Sequence, residues 1–524
     1  MESRLIGGLN IQDYRNRVLG CWLGKNIGGT LGAPFEWMRK INEVNFYTQD
    51  LGGEPLPNDD LDIQLLWLVA LEEKGVSVDA HVLAEYWCTY VTPHWAEYGT
   101  GKINMRSGLL PPLTGTYRNA YKDSCGSFIR SEIWACIAPG LPDVAAKYAY
   151  EDSILDHGNG EGTYAEVFCA AMESAAFVLQ DIEGIIDVGL SYIPESCAVA
   201  QAIATVRSCL KQGKSWKETR DEILRKHRGS THAGRKDRTS LEDQKKGFLD
   251  GKLGFDVPSN IGILVLGLLY GQEDFDIAIT TTVNCGEDTD CTGATVGSIF
   301  GILRGADAIP DRWITPIGRS IRTACLDLGE LGYFGNQLPQ TVDELTDRTE
   351  AIARQVMARD GRLELSEAKG ETPSVPAADL RSNDGGAALF ASIDGPKFTF
   401  DSFTVFVNYG EVPEIRNGQP KRVRLTILNT YKIQANLSVH WYLPPGFSIQ
   451  PGADSYTLSF PAQFFEPLEL EFDLLAENVS SSMNRCVVEL TIPGRPTVML
   501  VPITLLNGNA RLPQNGEPQE GTAR

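Results

Sequence analysis

Residues 19–36 read LGCWLGKNIGGTLGAPFE, and their glycine spacing predicts how the N-terminal part of the chain packs. Glycine recurs there every four residues, at Gly20, Gly24, Gly28 and Gly32, and the same spacing returns at residues 293, 297, 301 and 305. A glycine inside a helix costs roughly 1 kcal/mol relative to alanine, so each stripe requires a compensating close approach of another helix. We therefore predict two helices whose glycine stripes lie against each other.

Acidic residues stand at the ends of these two stripes. Glu36 follows the C-terminal end of the first stripe, whereas Asp288 and Asp290 precede the start of the second. Antiparallel packing brings the three carboxylates together, and parallel packing separates them by roughly 20 Å. The stripes alone are also typical of small core residues, so the carboxylates carry the functional interpretation. We expect the antiparallel arrangement.

A second acidic group, Asn58-Asp59-Asp60-Leu61-Asp62, stands just before an apolar helical pattern from Ile63 to Leu71. A lone aspartate before a helix is typically an N-cap. Here two helix starts each carry more carboxylates than a cap can use. Like charges that lie together raise one another's pKa unless a cation neutralises them. Clustered carboxylates suit hard ions such as Mg²⁺, and two neighbouring clusters favour a two-metal site.

The apolar spacing predicts two folded parts. Helical periodicity dominates from about residue 11 to 361, which predicts one large all-α domain over residues 1–365. Residues 366–386 have the composition of a linker. Alternating apolar residues predict seven or eight strands and an immunoglobulin-like β-sandwich over residues 387–508. Residues 509–524 are polar and rich in proline and glycine, as a disordered tail would be.

Composition excludes several classes of function. Lys and Arg number 47 against 68 Asp and Glu, a net charge of −21 that disfavours binding to nucleic acid and to anionic membranes. The start of the chain shows no signal-peptide pattern, and we found no apolar run of membrane-spanning length. The odd count of 11 cysteines lacks any Cys-x-x-Cys pair. We therefore expect a cytoplasmic protein with reduced thiols.

Three motifs, in order over about 300 residues, resemble those of ADP-ribosylglycohydrolases. Residues 19–36 look like the family's opening glycine-rich helix, which ends in Gly-x-Pro-x-Glu. Residues 58–61, NDDL, resemble its Thr-Asp-Asp-Thr motif. Residues 284–291, NCGEDTDC, followed by IPDRW at 309–313, resemble its Gly-Gly-Asp-Thr-Asp-Thr block and Ile-Pro-x-x-Trp element. The resemblance does not extend to the C-terminal β module.

The resemblance implies an all-α fold with a binuclear Mg²⁺ centre, and Mn²⁺ is an alternative ion. The enzyme would be a hydrolase that cleaves an N- or O-glycosidic bond at the anomeric carbon of ribose. Its partner would be a small ribosyl or ADP-ribosyl substrate, or an ADP-ribosylated protein. The implied catalytic residues are Glu36, Asp60 and Asp288, with Glu36 either a metal ligand or an acid/base near the scissile bond. The implied metal ligands are Asn58, Asp59, Asp60, Asp288 and Asp290.

Four residues depart from the family motifs, namely Asn58, Leu61, Glu287 and Cys291. An amide oxygen of Asn58 is still a ligand for Mg²⁺, whereas Leu61 is not. Glu287 stands where the family has glycine, and its carboxylate could compensate for lost ligands. A Cys291 thiol must either turn away or favour a softer ion such as Mn²⁺ or Zn²⁺. We expect it to turn away, with the hydroxyl of Thr292 as a substitute if the helix start shifts.

Two loops are candidates for substrate binding. Residues 126–130, GSFIR, weakly resemble the family's substrate loop, which makes Gly126 and Ser127 candidates. Residues 157–162, HGNGEG, occupy the place of a family element with a central histidine, which adds His157 and Asn159. A lone histidine is more often structural, and a glycine-rich stretch is also typical of a plain turn.

Two alternative functions remain open at this point. The motif departures and the added β module also suit a hydrolase of small nucleosides or sugar furanosides in carbohydrate catabolism. The family's fold is also used in a lens crystallin, so a catalytically silent structural or binding protein is the second alternative. Measured turnover of a ribosyl substrate would separate these classes.

Overall fold

The computed structural model of the chain describes residues 7–229, 236–251, 256–326, 337–367, 372, 374–391 and 394–509. The chain forms two compact units. The first comprises Met1–Ile103 and Thr114–Ala391, and the second comprises Asn104–Leu113 and Ser392–Arg524. Within the described ranges, no helix is long and apolar enough to cross a membrane. The predicted tail, residues 509–524, lies outside them except for Asn509.

This division differs from the predicted domain boundaries in three places. Residues 387–391, predicted to open the β-sandwich module, belong to the first unit. The described part of residues 366–386 belongs to the first unit rather than to a linker. Leu380 in this segment is buried, and its carbonyl oxygen accepts a hydrogen bond from Tyr192 Oη at 3.0 Å. Asn104–Leu113 belongs to the second unit although it lies far from the β module in sequence. Amino-acid composition predicts neither the packing of residues 366–386 within the first unit nor that of Asn104–Leu113 within the second.

Helices dominate residues 7–391, as predicted. The helix Val342–Asp360 has clear ends, because Thr341 caps its start and Gly361, in the left-handed conformation, follows its last residue. A parallel pair of short strands, β1 (Gly7–Asn10) and β2 (Leu363–Ser366), joins the two ends of this region. The helices are α1 Ile11–Gly32, α2 Asp59–Lys74, α3 Ala80–Tyr90, α4 Ala96–Arg106, α5 Leu113–Thr116, α6 Glu132–Ile137, α7 Pro142–Ser153, α8 Glu161–Ala176, α9 Ile182–Leu190, α10 Ala198–Lys211, α11 Trp216–His227, α12 Leu241–Lys245, α13 Val257–Tyr270, α14 Phe275–Asn284, α15 Thr289–Arg304, α16 Asp311–Ile314, α17 Val342–Asp360, α18 Ala377–Leu380 and α19 Ala387–Phe390.

The glycine stripes of α1 and α15 lie in direct backbone contact. A β-carbon added to Gly24 would stand 2.0 Å from Gly297 O, and one added to Gly28 would stand 2.0 Å from Gly293 O. Residue numbers rise along α1 as they fall along α15, so the two helices are antiparallel. Any side chain at these positions would force the helices apart. The predicted orientation is confirmed.

The described part of the second unit contains two five-stranded sheets, which confirms the predicted β-sandwich module. Its ten strands exceed the seven or eight that the alternation predicted. Its strands are β3 Lys397–Thr399, β4 Phe403–Asn408, β5 Glu414–Ile415, β6 Lys421–Asn429, β7 Ala435–Tyr442, β8 Phe447–Gln450, β9 Asp454–Ser459, β10 Leu468–Ala476, β11 Met483–Thr491 and β12 Val498–Asn507. The sheet orders are β3-β4-β6-β10-β8 and β5-β12-β11-β7-β9. Every second residue of β4 is buried, which is the alternation that predicted strands here.

Candidate active site

Glu36, Asp288 and Asp290 meet where α1 ends and α15 begins. After Gly32 a short 3-10 turn, Ala33–Phe35, places Glu36 directly beyond α1. Asp288 is the N-cap residue of α15, and Asp290 lies in its first turn. One oxygen atom from each of the three carboxylates lies within 4.8 Å of the other two. The structure thus brings together the carboxylates that antiparallel packing was expected to join.

The start of α2 brings further carboxylates to the same place. Asp60 is buried, and one of its oxygens lies within 4.8 Å of ligand atoms of Asp290 and Cys291. Asp59 lines the adjoining cavity. Asn58 caps the helix: its Oδ1 accepts a hydrogen bond from Asp60 N, and its Nδ2 donates to Asp60 Oδ2, both at 2.9 Å. Capping is therefore the role that the structure gives Asn58, and its role as a ligand stays a prediction.

Asp62, the last carboxylate of this stretch, holds a loop. Its Oδ2 accepts hydrogen bonds from the backbone N–H groups of Ala324, Cys325 and Leu326 at 2.7, 2.6 and 3.3 Å. Buried N–H groups need such acceptors, so Asp62 fixes the loop against the start of α2. Ala324 lines the cavity, and Asp62 therefore shapes the cavity from behind.

Burial and crowding raise the pKa of the clustered carboxyl groups. Burial, followed by the charges of Asp59 and Asp60, raises the pKa of Glu36 to about 7. Burial, followed by Glu36 and Asp59, raises the pKa of Asp290 to about 8. Burial, followed by Asp290, raises the pKa of Asp60 and of Asp288 well above the usual range. A bound cation would favour the ionised form of these carboxyl groups, which burial and crowding disfavour.

Unpartnered oxygen atoms indicate where a cation would be held. The Oδ1 atoms of Asp60, Asp288 and Asp290 are buried, and none has a hydrogen-bond partner among the described residues. Buried polar atoms in proteins ordinarily have one. Carboxylate oxygens are the ligands that Mg²⁺ prefers, so this donor set fits a hard divalent ion.

Cys291 faces the cluster, contrary to our expectation. Its Sγ lies within 4.8 Å of carboxylate oxygens of Asp60 and Asp290. The hydroxyl of Thr292 does not replace the thiol, because its Oγ1 donates to Asp288 O at 2.8 Å in its own helix. The expectation was wrong because α15 begins at Thr289 without the shift that a Thr292 ligand would require.

Glu287 does not supply the extra carboxylate that the sequence suggested. Its Oε2 lies 3.3 Å from Arg39 Nε, and its Oε1 lies 3.1 Å from Arg228 Nη2. The residue adopts a φ of 72°, the left-handed region that glycine tolerates best. Two buried guanidinium groups thus neutralise Glu287 away from the cluster, and the suggestion that it compensates for lost ligands was wrong.

A buried ion pair lies behind the cluster. Lys25 Nζ stands 2.7 Å from Glu132 Oε1 and donates to Ile129 O at 2.7 Å. Burial has the largest effect on the pKa of Asp60 and raises it, whereas the positive charge of Lys25 lowers it. Lys25 therefore favours the charged form of Asp60, while Glu132 balances the charge of Lys25 in the buried interior.

A cavity of about 670 Å³ opens beside the carboxylates. Four aromatic side chains and a further carboxylate line it, namely Trp37, Trp95, Tyr98, Tyr121 and Glu97. Trp95 is 53% exposed, so one ring stands open to solvent. A cavity of this size with apolar and polar lining is typical of a small-molecule site.

The predicted substrate residues fall in different places. Gly126 lines the cavity. Ser127 is buried, and its Oγ donates to Gly162 O at 2.6 Å. Asn159 Oδ1 accepts a hydrogen bond from Lys122 Nζ at 2.9 Å. Of these three, Gly126 is therefore the one in position to meet a ligand directly.

His157 is buried and contacts a residue of the cavity lining. Its Nε2 lies 3.3 Å from Ser124 Oγ, and Ser124 lines the cavity. Its Nδ1 lies 2.9 Å from Asp156 Oδ1, and Arg130 Nη2 lies 2.7 Å from the same carboxylate oxygen. Although burial alone would raise the pKa of Asp156, the charges of Arg130 and His157 lower it to about 2. This row of polar groups positions Ser124 on the cavity lining.

Sequence reasoning missed Glu97, Ser124 and the aromatic lining. Glu97 lies in α4 and is buried, and burial raises its pKa. The run Trp95-Ala-Glu-Tyr98 places a carboxylate between two aromatic residues, which is the one available signal. This run of four residues shows no pattern that distinguishes it from the start of an ordinary helix.

Fold and site together define a class of protein: a helical domain that gathers carboxylates at the end of an antiparallel helix pair, beside a small-molecule cavity. A family model described as ADP-ribosylglycohydrolase matches residues 10–354. The chain belongs to the ADP-ribosylglycohydrolase family, and this membership implies a glycohydrolase activity in general. The resemblance drawn from the three motifs is confirmed.

Two solved structures show similarity to parts of the chain. One, described as an ADP-ribosylglycohydrolase-related protein complex, is 18% identical with a TM-score of 0.40, and the match covers 65% of this chain and 99% of that chain. The other is a FixG-related protein from Vibrio parahaemolyticus, 13% identical with a TM-score of 0.18, covering 21% of this chain and 99% of that chain. No curated protein sequence matches this chain significantly.

Proposed function

We propose that this chain hydrolyses an N- or O-glycosidic bond at the anomeric carbon of a ribosyl or related furanosyl unit, ADP-ribosyl substrates included. The observation that carries the proposal is the meeting of Glu36, Asp60, Asp288 and Asp290 beside one cavity. Paired carboxylates are the usual machinery of glycoside hydrolysis. Family membership supports the same class of reaction.

We assign two Mg²⁺ ions to the cluster, with Mn²⁺ as the alternative. Asp59, Asp60, Asp288 and Asp290 would hold them, and Asn58 Oδ1 is a further candidate ligand. The three unpartnered Oδ1 atoms support this assignment. When bound, such ions polarise water and orient substrate hydroxyl groups.

The remaining roles follow from position. Glu36 lines the cavity directly, and we assign it proton transfer at the reacting glycosidic bond. We assign to Asp60 and Asp288 the orientation of the attacking water. Holding these groups in place before the substrate arrives lowers the barrier because little reorganisation is needed during the reaction.

The cavity lining suits a ribosyl unit with its leaving group. Aromatic rings such as those of Trp95 and Tyr121 can cover the apolar face of a sugar or a planar leaving group. Ser124 and Glu97 offer polar atoms for hydroxyl groups. This mixture supports a small glycoside as the ligand.

A metal-supplemented substrate screen tests the proposal. Full-length protein is assayed with Mg²⁺ or Mn²⁺ against ADP-ribosylated peptides, ADP-ribose derivatives, nucleosides and pentofuranosides. We expect turnover of at least one class, loss of turnover in Asp290→Asn, and retention in Asp307→Asn, an exposed aspartate beyond the far end of α15. Turnover retained in Asp290→Asn contradicts the proposal. Mg²⁺ binding without turnover of any of these substrates favours the silent, crystallin-like alternative.

A further inference from the structure

Two groups of candidate ligand atoms overlap at Asp290. Glu36, Asp288 and Asp290 offer three carboxylate oxygens, whereas Asp60, Asp290 and Cys291 offer two oxygens and one sulfur. Within each group all three atoms lie within 4.8 Å of one another. The two halves of the cluster therefore share one carboxylate and differ in donor chemistry.

The mixed group, Asp60, Asp290 and Cys291, is buried and has oxygen atoms available to bind an ion. Asp60, Asp290 and Cys291 are only 1%, 5% and 9% exposed. The Oδ1 atoms of both aspartates have no hydrogen-bond partner within the described part of the chain. Each aspartate of this group therefore keeps one buried oxygen that is available to an ion, and each also has a carboxylate oxygen within 4.8 Å of Cys291 Sγ.

Sulfur changes which ions such a group prefers. Oxygen-only sites suit Mg²⁺ and Mn²⁺, whereas a thiolate donor favours borderline and softer ions. Zn²⁺ in particular binds cysteine sulfur together with carboxylate oxygen. A cluster with one donor set of each kind can hold two different ions side by side.

We propose that Cys291 Sγ is a ligand of the ion held by Asp60 and Asp290, and that this half of the centre selects a thiophilic divalent ion such as Zn²⁺ or Co²⁺. The other ion, held by carboxylate oxygens of Asp288 and Asp290 without sulfur, is Mg²⁺ or Mn²⁺, and Glu36 keeps its role in proton transfer. This inference rests on the two-metal centre of the proposed function and replaces one of its two Mg²⁺ ions by a thiophilic ion. On binding, the S–H bond breaks, a bond forms between Sγ and the ion, and the proton passes to the buffer without any change of oxidation state.

Cys125 provides a matched control. It lines the same cavity, is 4% exposed, and its Sγ accepts a hydrogen bond from Asn260 Nδ2 at 3.4 Å. It belongs to neither group of ligand atoms among the described residues. A sulfur signal from the bound ion should therefore depend on Cys291 and be independent of Cys125.

Cobalt titration of the metal-free, full-length protein tests the inference. We expect a near-ultraviolet sulfur-to-cobalt charge-transfer band in the wild type and in Cys125→Ser, and loss of the band in Cys291→Ser and Cys291→Thr. Replacing Cys291 by threonine should weaken Zn²⁺ binding by at least about tenfold, the lower end of what even an outer-shell partner contributes. Mg²⁺ affinity, measured from the rise in Tm on adding Mg²⁺, should change much less.

A second measurement needs no variant, which matters if a substitution prevents folding. X-ray absorption at the zinc edge of the zinc-loaded wild type should show a sulfur neighbour at about 2.3 Å. A shell of oxygen alone overturns the inference, as does a cobalt band that survives Cys291→Ser. If these signals are missing while Mg²⁺ still raises the Tm, the inference fails and the proposed centre stands. If no divalent ion changes the Tm or the spectra, the metal centre itself is refuted.

Discussion

Replacing Asp290 by asparagine tests the cluster both without and with an ion. In the metal-free protein the pKa of Asp290 is raised from 3.8 to about 8. The folded state then keeps a proton that the unfolded state has lost, so stability falls as the pH rises from about 4 to about 8. At pH 7 this shift corresponds to about 4 kcal/mol, at roughly 1.4 kcal/mol for each pKa unit crossed. Asparagine carries no charge to bury and avoids this loss.

Thermal unfolding of chelator-treated wild type and variant between pH 5 and pH 8 measures the effect. We expect the variant to have the higher Tm at pH 8, with a difference that shrinks toward pH 5. Added Mg²⁺ should raise the Tm of the wild type more than that of the variant, and the variant should lack turnover. If Asp290 only stabilises the first turn of α15 through its charge, the variant instead loses up to about 1 kcal/mol across this pH range and keeps its catalysis. That result would refute the reasoning.

Three further predictions concern the scaffold around the cluster. Lys25→Met leaves Glu132 buried and unpaired, so chemical denaturation should show a loss of about 3–5 kcal/mol, largely recovered when Glu132→Gln is added. Gly28→Ala places a β-carbon 2.0 Å from a carbonyl oxygen of α15, so it should lower both the Tm and the Mg²⁺ affinity measured by titration. Gly262→Ala is the control: its added β-carbon would lie no closer than 3.1 Å to another atom, a side-chain carbon, and Mg²⁺ affinity should stay nearly unchanged. Because its pKa is lowered to about 2, Asp156 stabilises the fold above about pH 4 and loses this effect as the pH falls toward 2. In Asp156→Asn, the Tm should therefore fall less steeply than in the wild type as the pH is lowered from 4 to 2.

The central helix pair was predictable because its signal is local and repeated. Glycine at every fourth position marks one helix face, and two such faces are most compact when they meet. Glu36 and Asp290 stand at fixed distances along the chain from those faces. Once the antiparallel direction is chosen, helix geometry alone brings the carboxylates together.

Other features of the site depend on contacts that no local pattern encodes. Glu287 is neutralised by Arg39 and Arg228, which lie far from it in sequence, so its charge could not be assigned in advance. Cys291 faces Asp60 because α2 lies across from the start of α15. Glu97 reaches the cavity from α4 without any motif around it. In each case the tertiary arrangement decides the role of the residue.

The carboxylate cluster is held by groups that do not depend on an ion. Backbone contact at Gly28 fixes α1 against α15, Asp62 ties a loop to the start of α2, and the Lys25–Glu132 pair fills the space behind Asp60. Because this scaffold prevents the carboxylates from separating, they stay buried and close to one another in the metal-free protein, and burial first, then repulsion, raises their pKa values. Binding of a cation relieves that repulsion, so part of the binding free energy is stored in the fold. A variant that loosens the scaffold should therefore lose ion affinity before it loses its helical structure.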